Sequence, residues 1–205
     1  MMTGDAIDNI RVSGYDIIAE IGHGNNGNVY YAIQTRLKRP VALKILSENL
    51  ANDESYVQRF YHEAQTAAQL SHPNVVRAYD VGHAESEHFY FSMELIEGED
   101  ILSLIKDRGG LDWRESLEYL KSIAAALDYG MSKCRLTHGD IKPANIMVTH
   151  RGDVKLADLG LACLGGEAKS EDVMLTPYYA APEVILGEWE TGDCRADIYS
   201  FGATL

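Results

Sequence analysis

The spacing of apolar positions changes twice along the chain. Between residues 15 and 46 three runs, YDIIAEIG, NVYYAIQT and RPVALKIL, are rich in Val, Ile and Tyr and are parted by glycine or charge. Branched and aromatic side chains suit a pleated strand, so these runs predict an antiparallel meander. Over 54–70 the spacing turns helical, with Val57, Phe60, Tyr61, Ala64, Ala67 and Ala68 near one side of ESYVQRFYHEAQTAAQL. Two more strands are expected near 75–83 and 88–94, joined by a polar turn. IEGED at 96–100 is a short polar connector and marks a candidate boundary. Beyond it, 101–107 and 113–132 read as helices, the second capped by Asp112, and two short strands flank the turn at Gly152-Asp153. Strands with one helix, then mainly helices, is an α+β pattern in two unequal lobes. Residues 1–14, polar with Gly4 and Gly14, read as a flexible tail.

Composition narrows the class. The 205 residues are 46% hydrophobic and 24% charged, which excludes a disordered or collagen-like chain and allows a sizeable core. The formal charge of −13 argues against nucleic-acid binding, which needs a basic surface, although local cations could still hold a small phosphate. Cys134, Cys163 and Cys194 lie far apart without a CxxC pair, so neither a disulfide framework nor a zinc site is supported. Reduced thiols in a cytoplasmic setting are expected, with the cytoplasmic domain of a membrane-anchored protein as the alternative if the chain continues past Leu205. No apolar stretch approaches the roughly 20 residues of a membrane span, so no membrane contact is expected within these residues. The N-terminus lacks the marks of a signal peptide. Residues 197–205 read as the opening of a helix with neither cap nor breaker, so a domain incomplete at this end, and poorly stable alone, is expected.

Gly22-His23-Gly24-Asn25-Asn26-Gly27-Asn28-Val29 has the spacing G-x-G-x-x-G-x-V. Glycines there allow a tight turn and let backbone N–H groups approach phosphate oxygens. A dinucleotide-binding turn would need a helix directly afterwards, whereas Val29-Tyr30-Tyr31-Ala32 favours a strand. Alone, the stretch is equally an ordinary hairpin turn. Val41-Ala42-Leu43-Lys44 follows it. A lysine closing an apolar strand is usually a solvated edge residue, but beside a phosphate-cradling loop it is the cation that α- and β-phosphates require. Glu63, in the middle of the expected helix, is the best carboxylate to orient it, although the helix alone would accept it as one more exposed glutamate.

The densest polar cluster is His138-Gly139-Asp140-Ile141-Lys142-Pro143-Ala144-Asn145. A carboxylate to accept a hydroxyl proton, an ammonium for the γ-phosphate and an amide oxygen for Mg²⁺ are the groups that phosphoryl transfer wants. Asp158-Leu159-Gly160 places a further hard oxygen donor after an apolar run, where a plain strand-exit turn is the alternative. Thr176-Pro177-Tyr178-Tyr179 precedes Ala181-Pro182-Glu183.

With these five motifs in order, the sequence from about Tyr15 to Leu205 resembles the eukaryotic-type protein kinase family, and most of all its bacterial serine/threonine members. The resemblance implies a two-lobed fold with an N-lobe over 15–93, a hinge at 94–97 and a partial C-lobe over 98–205. It implies ATP with Mg²⁺ (or Mn²⁺) as cofactors and protein Ser/Thr hydroxyls as acceptors. Gly22, Gly24 and Gly27 would then cover the phosphates, and Lys44 would bind them and pair with Glu63. Ile21, Val29, Ala42 and Met147 would enclose the adenine. Met93 would be the gatekeeper, with the backbone of Glu94 and Ile96 bonding the base and Asp100 the ribose. Asp140 would be the base, Lys142 the γ-phosphate contact, and Asn145 and Asp158 the metal ligands. Thr176 would help place the acceptor hydroxyl. His138 and Asp197 would brace the catalytic loop.

Gly139 departs from the family, where an arginine usually stands and in many members pairs with a phosphorylated activation loop. A glycine cannot, and Ser170-Glu171-Asp172 is already acidic, so independence from that contact is expected. Two alternatives accompany the kinase reading. A pseudokinase that binds nucleotide and signals by conformation is disfavoured because Lys44, Glu63, Asp140, Asn145 and Asp158 are all present. A small-molecule phosphotransferase is disfavoured by the spelling TPYYAAPE.

Overall fold

A computed structural model of the chain describes residues 10–24, 27–84, 88–159, 162, 176–188 and 193–205. The chain divides into two compact units. The first comprises Met1–Ala68 with Arg77–Leu95, the second Gln69–Val76 with Ile96–Leu205.

In the first unit the Val/Ile/Tyr runs form the meander β1 (Tyr15–Gly24), β2 (Gly27–Gln34) and β3 (Arg39–Leu46). A short α1 (Glu48–Ala51) and the long α2 (Glu54–Gln69) follow, then β4 (Ala78–His83) and β5 (Phe89–Met93). All pairings are antiparallel and the sheet order is β1-β2-β3-β5-β4. Asp53 starts α2 by accepting the Ser55 N–H at 2.9 Å. One face of the sheet buries Tyr30, Ala32, Val41, Leu43 and Ile45 beneath Val12 and Ala84. Val41 and Leu43 are fully buried, each contributing about 1.5–3 kcal/mol by burial. Phe60 of α2 meets Phe91 of β5 edge-on with centroids 6.5 Å apart, which seats the helix on that strand.

The second unit begins with Gln69–Val76 although sequence neighbours on both sides belong to the first. The cause is local. Lys133 donates to the Gln69 carbonyl at 2.7 Å, His72 stacks on Tyr129, and Asn74 donates to the Val154 carbonyl at 2.7 Å. The unit continues with β6 (Gly98–Asp100), α3 (Ile101–Arg108) and α4 (Trp113–Cys134). A 3₁₀ turn at Pro143–Asn145, β7 (Ile146–Thr149), β8 (Val154–Leu156), α5 (Pro182–Ile185) and α6 (Arg195–Thr204) complete it. β6-β7-β8 form a small antiparallel sheet. Its inner residues Ile146, Val148, Val154 and Leu156 pack with Ile101, Leu104, Leu120 and Ile123 of α3 and α4.

The fold is the two-lobed kinase-like α+β type, an antiparallel sheet with one long helix in the first lobe and mainly helices in the second. Two short elements differ from the sequence reading. The polar connector at 96–100 contains β6, because Gly98 lies so close to β7 that a Cβ would meet the Val148 carbonyl at 2.0 Å. The run before α2 contains α1, a single turn with no buried residue. No described helix is long and apolar enough to cross a membrane.

Candidate active site

In the first lobe the glycine turn joins β1 to β2, with Gly22 opposite Val29 and Gly24 opposite Gly27. Gly27 has φ 140° and a Cβ there would meet the Ile45 carbonyl at 2.0 Å, so only glycine lets the turn lie against β3. Asn25 and Asn26 lie outside the described residues. Ile21 is half exposed near the turn. Lys44 stands on β3 between Val29 of β2 and Phe91 of β5. Its ammonium donates to both carboxylate oxygens of Glu63, at 2.8 and 2.7 Å, and both side chains are nearly buried. Helix α2 is thus the element that orients the lysine. Two charges in a sheltered site with short bonds are held in one geometry, since breaking either side strands the other. Ala42 of β3 pairs with Met93 at the end of β5. The Glu94 N–H is taken up by the Arg77 carbonyl at 2.9 Å.

In the second lobe Ile96 is half-buried ahead of β6. Asp100 closes β6 opposite Met147 of β7. Its carboxylate caps α3, accepting the Ser103 N–H at 2.9 Å and the Ser103 hydroxyl at 2.7 Å. The ribose candidate therefore already has a structural task. An aspartate directly before the first apolar residue of a helix is an N-cap signal that sequence reading could have used.

The loop at 138–145 is fixed from beneath. The buried Asp197 carboxylate accepts the backbone N–H groups of His138 at 2.7 Å and Gly139 at 2.9 Å. Burial pushes the Asp197 carboxyl above its ordinary range, against the opposing pull of His138 and these two N–H groups. The fully buried His138 ring accepts the Asp140 N–H at Nδ1, which leaves Nε2 to donate to the Ala157 carbonyl at 3.3 Å. Gly139 adopts φ 79°, a left-handed conformation that favours glycine.

Above this floor the polar groups converge on Asp140. Its Oδ2 accepts from Lys142 Nζ at 2.6 Å and from Asn145 Nδ2 at 3.0 Å. Its Oδ1 accepts the Thr176 hydroxyl at 3.0 Å, and Lys142 donates to that same hydroxyl at 2.9 Å. Asn145 also donates to the Asp140 carbonyl at 2.8 Å, which turns its amide oxygen away as the acceptor end. The Ala157 N–H donates to the Asn145 carbonyl at 2.9 Å, so Asp158 leaves a backbone tied to that of Asn145. Asp158 has φ 59°, a strained left-handed conformation, and Leu159 behind it is buried. An amide oxygen and a carboxylate from adjoining backbones are hard donors of the kind that suit Mg²⁺. Thr176 is held by its own turn, its carbonyl accepting from Tyr179 and Ala180. Gly160 and Ser170 lie outside the described residues.

The expected residues thus form two clusters, Lys44 with Glu63 in the first lobe, and Asp140, Lys142, Asn145 and Thr176 in the second. Residues 15–205 match the family model described as the protein kinase domain. A probable serine/threonine-protein kinase of Clostridium acetobutylicum is 39% identical over 93% of this chain and 29% of its own length. The serine/threonine-protein kinase PrkC of Bacillus subtilis is 37% identical over 95% of this chain and 30% of its own. The serine/threonine-protein kinase PknF of Mycobacterium tuberculosis is 36% identical over 94% of this chain and 42% of its own. The chain spans less than half the length of these relatives. A motif set in order, a two-lobed fold and a family match across nearly the whole chain lead to one assignment: the chain belongs to the protein kinase domain family, among bacterial serine/threonine kinases.

Proposed function

We propose that this chain transfers the γ-phosphoryl group of ATP to serine or threonine hydroxyls of proteins. The observation that carries the proposal is the hydroxyl of Thr176 on Asp140 Oδ1, with Lys142 donating to the same oxygen. A carboxylate that already holds one hydroxyl, beside an ammonium, is arranged to hold an acceptor hydroxyl and take its proton. Asp140 is the base and Lys142 the cation that meets the transferring phosphoryl. Lys44, oriented by Glu63, holds the α- and β-phosphates under the glycine turn at Gly22, Gly24 and Gly27. Ile21, Val29, Ala42, Met93 and Met147 enclose the adenine, the backbone of Glu94 and Ile96 bonds its edge, and Asp100 reaches the ribose. With the Glu94 N–H engaged by Arg77, its carbonyl is the group for the base. Asn145 and Asp158 fit Mg²⁺ or Mn²⁺, whose charge would neutralise the phosphates when bound. The kinase domain runs over 15–205 behind a tail at 1–14, with the lobes parted at 94–97. Its partners are protein substrates rather than nucleic acid, in a cytoplasmic setting.

The test is transfer of labelled phosphate from ATP by the full-length protein, to itself and to a basic protein, beside Asp140→Asn and Lys44→Met. Transfer that both changes abolish is expected. Nucleotide binding without transfer would instead make the chain a regulatory pseudokinase.

A further inference from the structure

The two edge strands of the first-lobe sheet, β1 and β4, are separated by three strands in the sheet order, yet their side chains meet. Tyr15 at the start of β1 donates its hydroxyl to Asp80 Oδ2 of β4 at 3.2 Å. Tyr90 of β5 donates to the same oxygen at 3.3 Å, and its ring lies 5.5 Å from that of Tyr15. The chain of donors extends backwards. Arg39 of β3 donates to Gln34 Oε1 of β2 at 2.7 Å, and Gln34 Nε2 donates to the Tyr15 hydroxyl at 3.3 Å. The Arg39 guanidinium lies 3.5 Å from the centre of the Tyr79 ring, next to Asp80 on β4. The contacts therefore visit all five strands and return to β4.

Two local features permit the closure. A register shift between Ala78 and Asp80 lets Tyr79 and Asp80 serve the same ring of contacts. Gly82 leaves room for Tyr90, whose hydroxyl would come within 2.8 Å of a Cβ there. Both phenols are kept in their donating form. Burial and the Asp80 charge push Tyr90 up to about 12, and burial raises Tyr15 as well.

We propose that this five-strand clasp, centred on Asp80 and Tyr15, is a positioning device that sets the glycine turn for nucleotide binding. The inference rests on the kinase reading of that turn. β1 is an edge strand whose ladder runs with β2 alone among the described strands, and two register shifts interrupt that ladder between Ile17 and Gly22. A hairpin loosened in this way takes its direction from its base. The clasp ties that base to β4 and β5, the strands that lead to Met93 and Glu94. Asp80 and Tyr15 are thus not catalytic residues; they act through the hairpin.

The test uses the full-length protein with Tyr15→Phe, Asp80→Ala and Asp80→Asn, reading KM for ATP, kcat at saturating ATP, the Kd of ATP and the melting temperature. Tyr15→Phe and Asp80→Ala are expected to raise KM and Kd about three- to tenfold, the worth of one net hydrogen bond, at unchanged kcat. Asp80→Asn, whose amide oxygen still accepts both phenols, is expected to restore tight binding. Lower melting temperatures with unchanged KM and Kd would overturn the proposal by reducing the clasp to a structural tie. A wild-type protein that binds ATP but transfers no phosphate would refute the kinase reading, and the Kd values would then decide the clasp by themselves.

Discussion

Replacing Gly139 by alanine would test whether the catalytic loop depends on a left-handed residue at its centre. Gly139 has φ 79° and its N–H lies 2.9 Å from Asp197 Oδ1. An L-residue in the left-handed region costs about 1–2 kcal/mol. Relaxing to negative φ instead would turn the N–H away from Asp197, and a hydrogen bond to a charged group is worth about 1.5–3 kcal/mol. The loop takes the cheaper course, so the loss is about 1–2 kcal/mol with the bond retained. For a chain of this size that lowers the melting temperature by about 2–8 °C. Gly152→Ala is the control. Gly152 has φ 86° in the exposed turn between β7 and β8, with nothing within 4 Å of an added Cβ. It carries the same conformational cost away from the catalytic loop, so both variants should melt lower by similar amounts, and with the Asp197 bond retained Gly139→Ala should transfer phosphate at the wild-type rate. Calorimetry and kcat on the full-length protein decide it. A Gly139→Ala protein that melts like the wild type while Gly152→Ala loses several degrees would refute the reasoning.

The same position bears on regulation. An arginine there can grip a phosphorylated activation loop through charge-assisted bonds, and Gly139 has no side chain with which to do so. Phosphatase treatment should therefore leave the transfer rate unchanged. Loss of activity on dephosphorylation, restored by Ser170→Glu, would show that the loop is held by another cation.

Three further outcomes follow from the geometry. Glu63→Ala removes the carboxylate that Lys44 donates to in a nearly buried site, and should cost about 3–5 kcal/mol in urea unfolding, whereas Lys44→Met with Glu63→Leu should cost less than either single change. Asp100→Ala should lose the α3 cap, about 0.5–2 kcal/mol, while Asp100→Asn keeps the cap and isolates any ribose contact as a change in KM for ATP. Asp197 has a raised carboxyl pKa, so between its ordinary value of 3.8 and the raised value the native state binds more protons than the unfolded one. Its contribution to stability is therefore fully present below that ordinary value and is lost as pH rises through the raised one. Carboxyl-carbon NMR titration should place its midpoint above those of the exposed aspartates.

What could be read from the sequence is what short-range chemistry dictates. Asp140, Lys142 and Asn145 lie within six positions, and their convergence on one carboxylate needs only a loop and a 3₁₀ turn. Lys44 and Glu63 were legible as types on a strand and a helix, but their contact depended on Phe60 seating α2 against β5, which no local pattern encodes. β6 escaped because Gly98-Glu99-Asp100 has little strand propensity, and its conformation comes from pairing with β7. The Asp80 clasp escaped for the opposite reason. Tyr15 and Asp80 are each ordinary in their own strands, 65 positions apart, and only the curl of the folded sheet makes them partners. Phosphoryl-transfer chemistry restricts residue type strongly at a few close positions, so it leaves a mark in the sequence. The precision of that chemistry depends on distant pairs whose types many other residues could match, so the positioning groups emerge only when the strands are laid side by side.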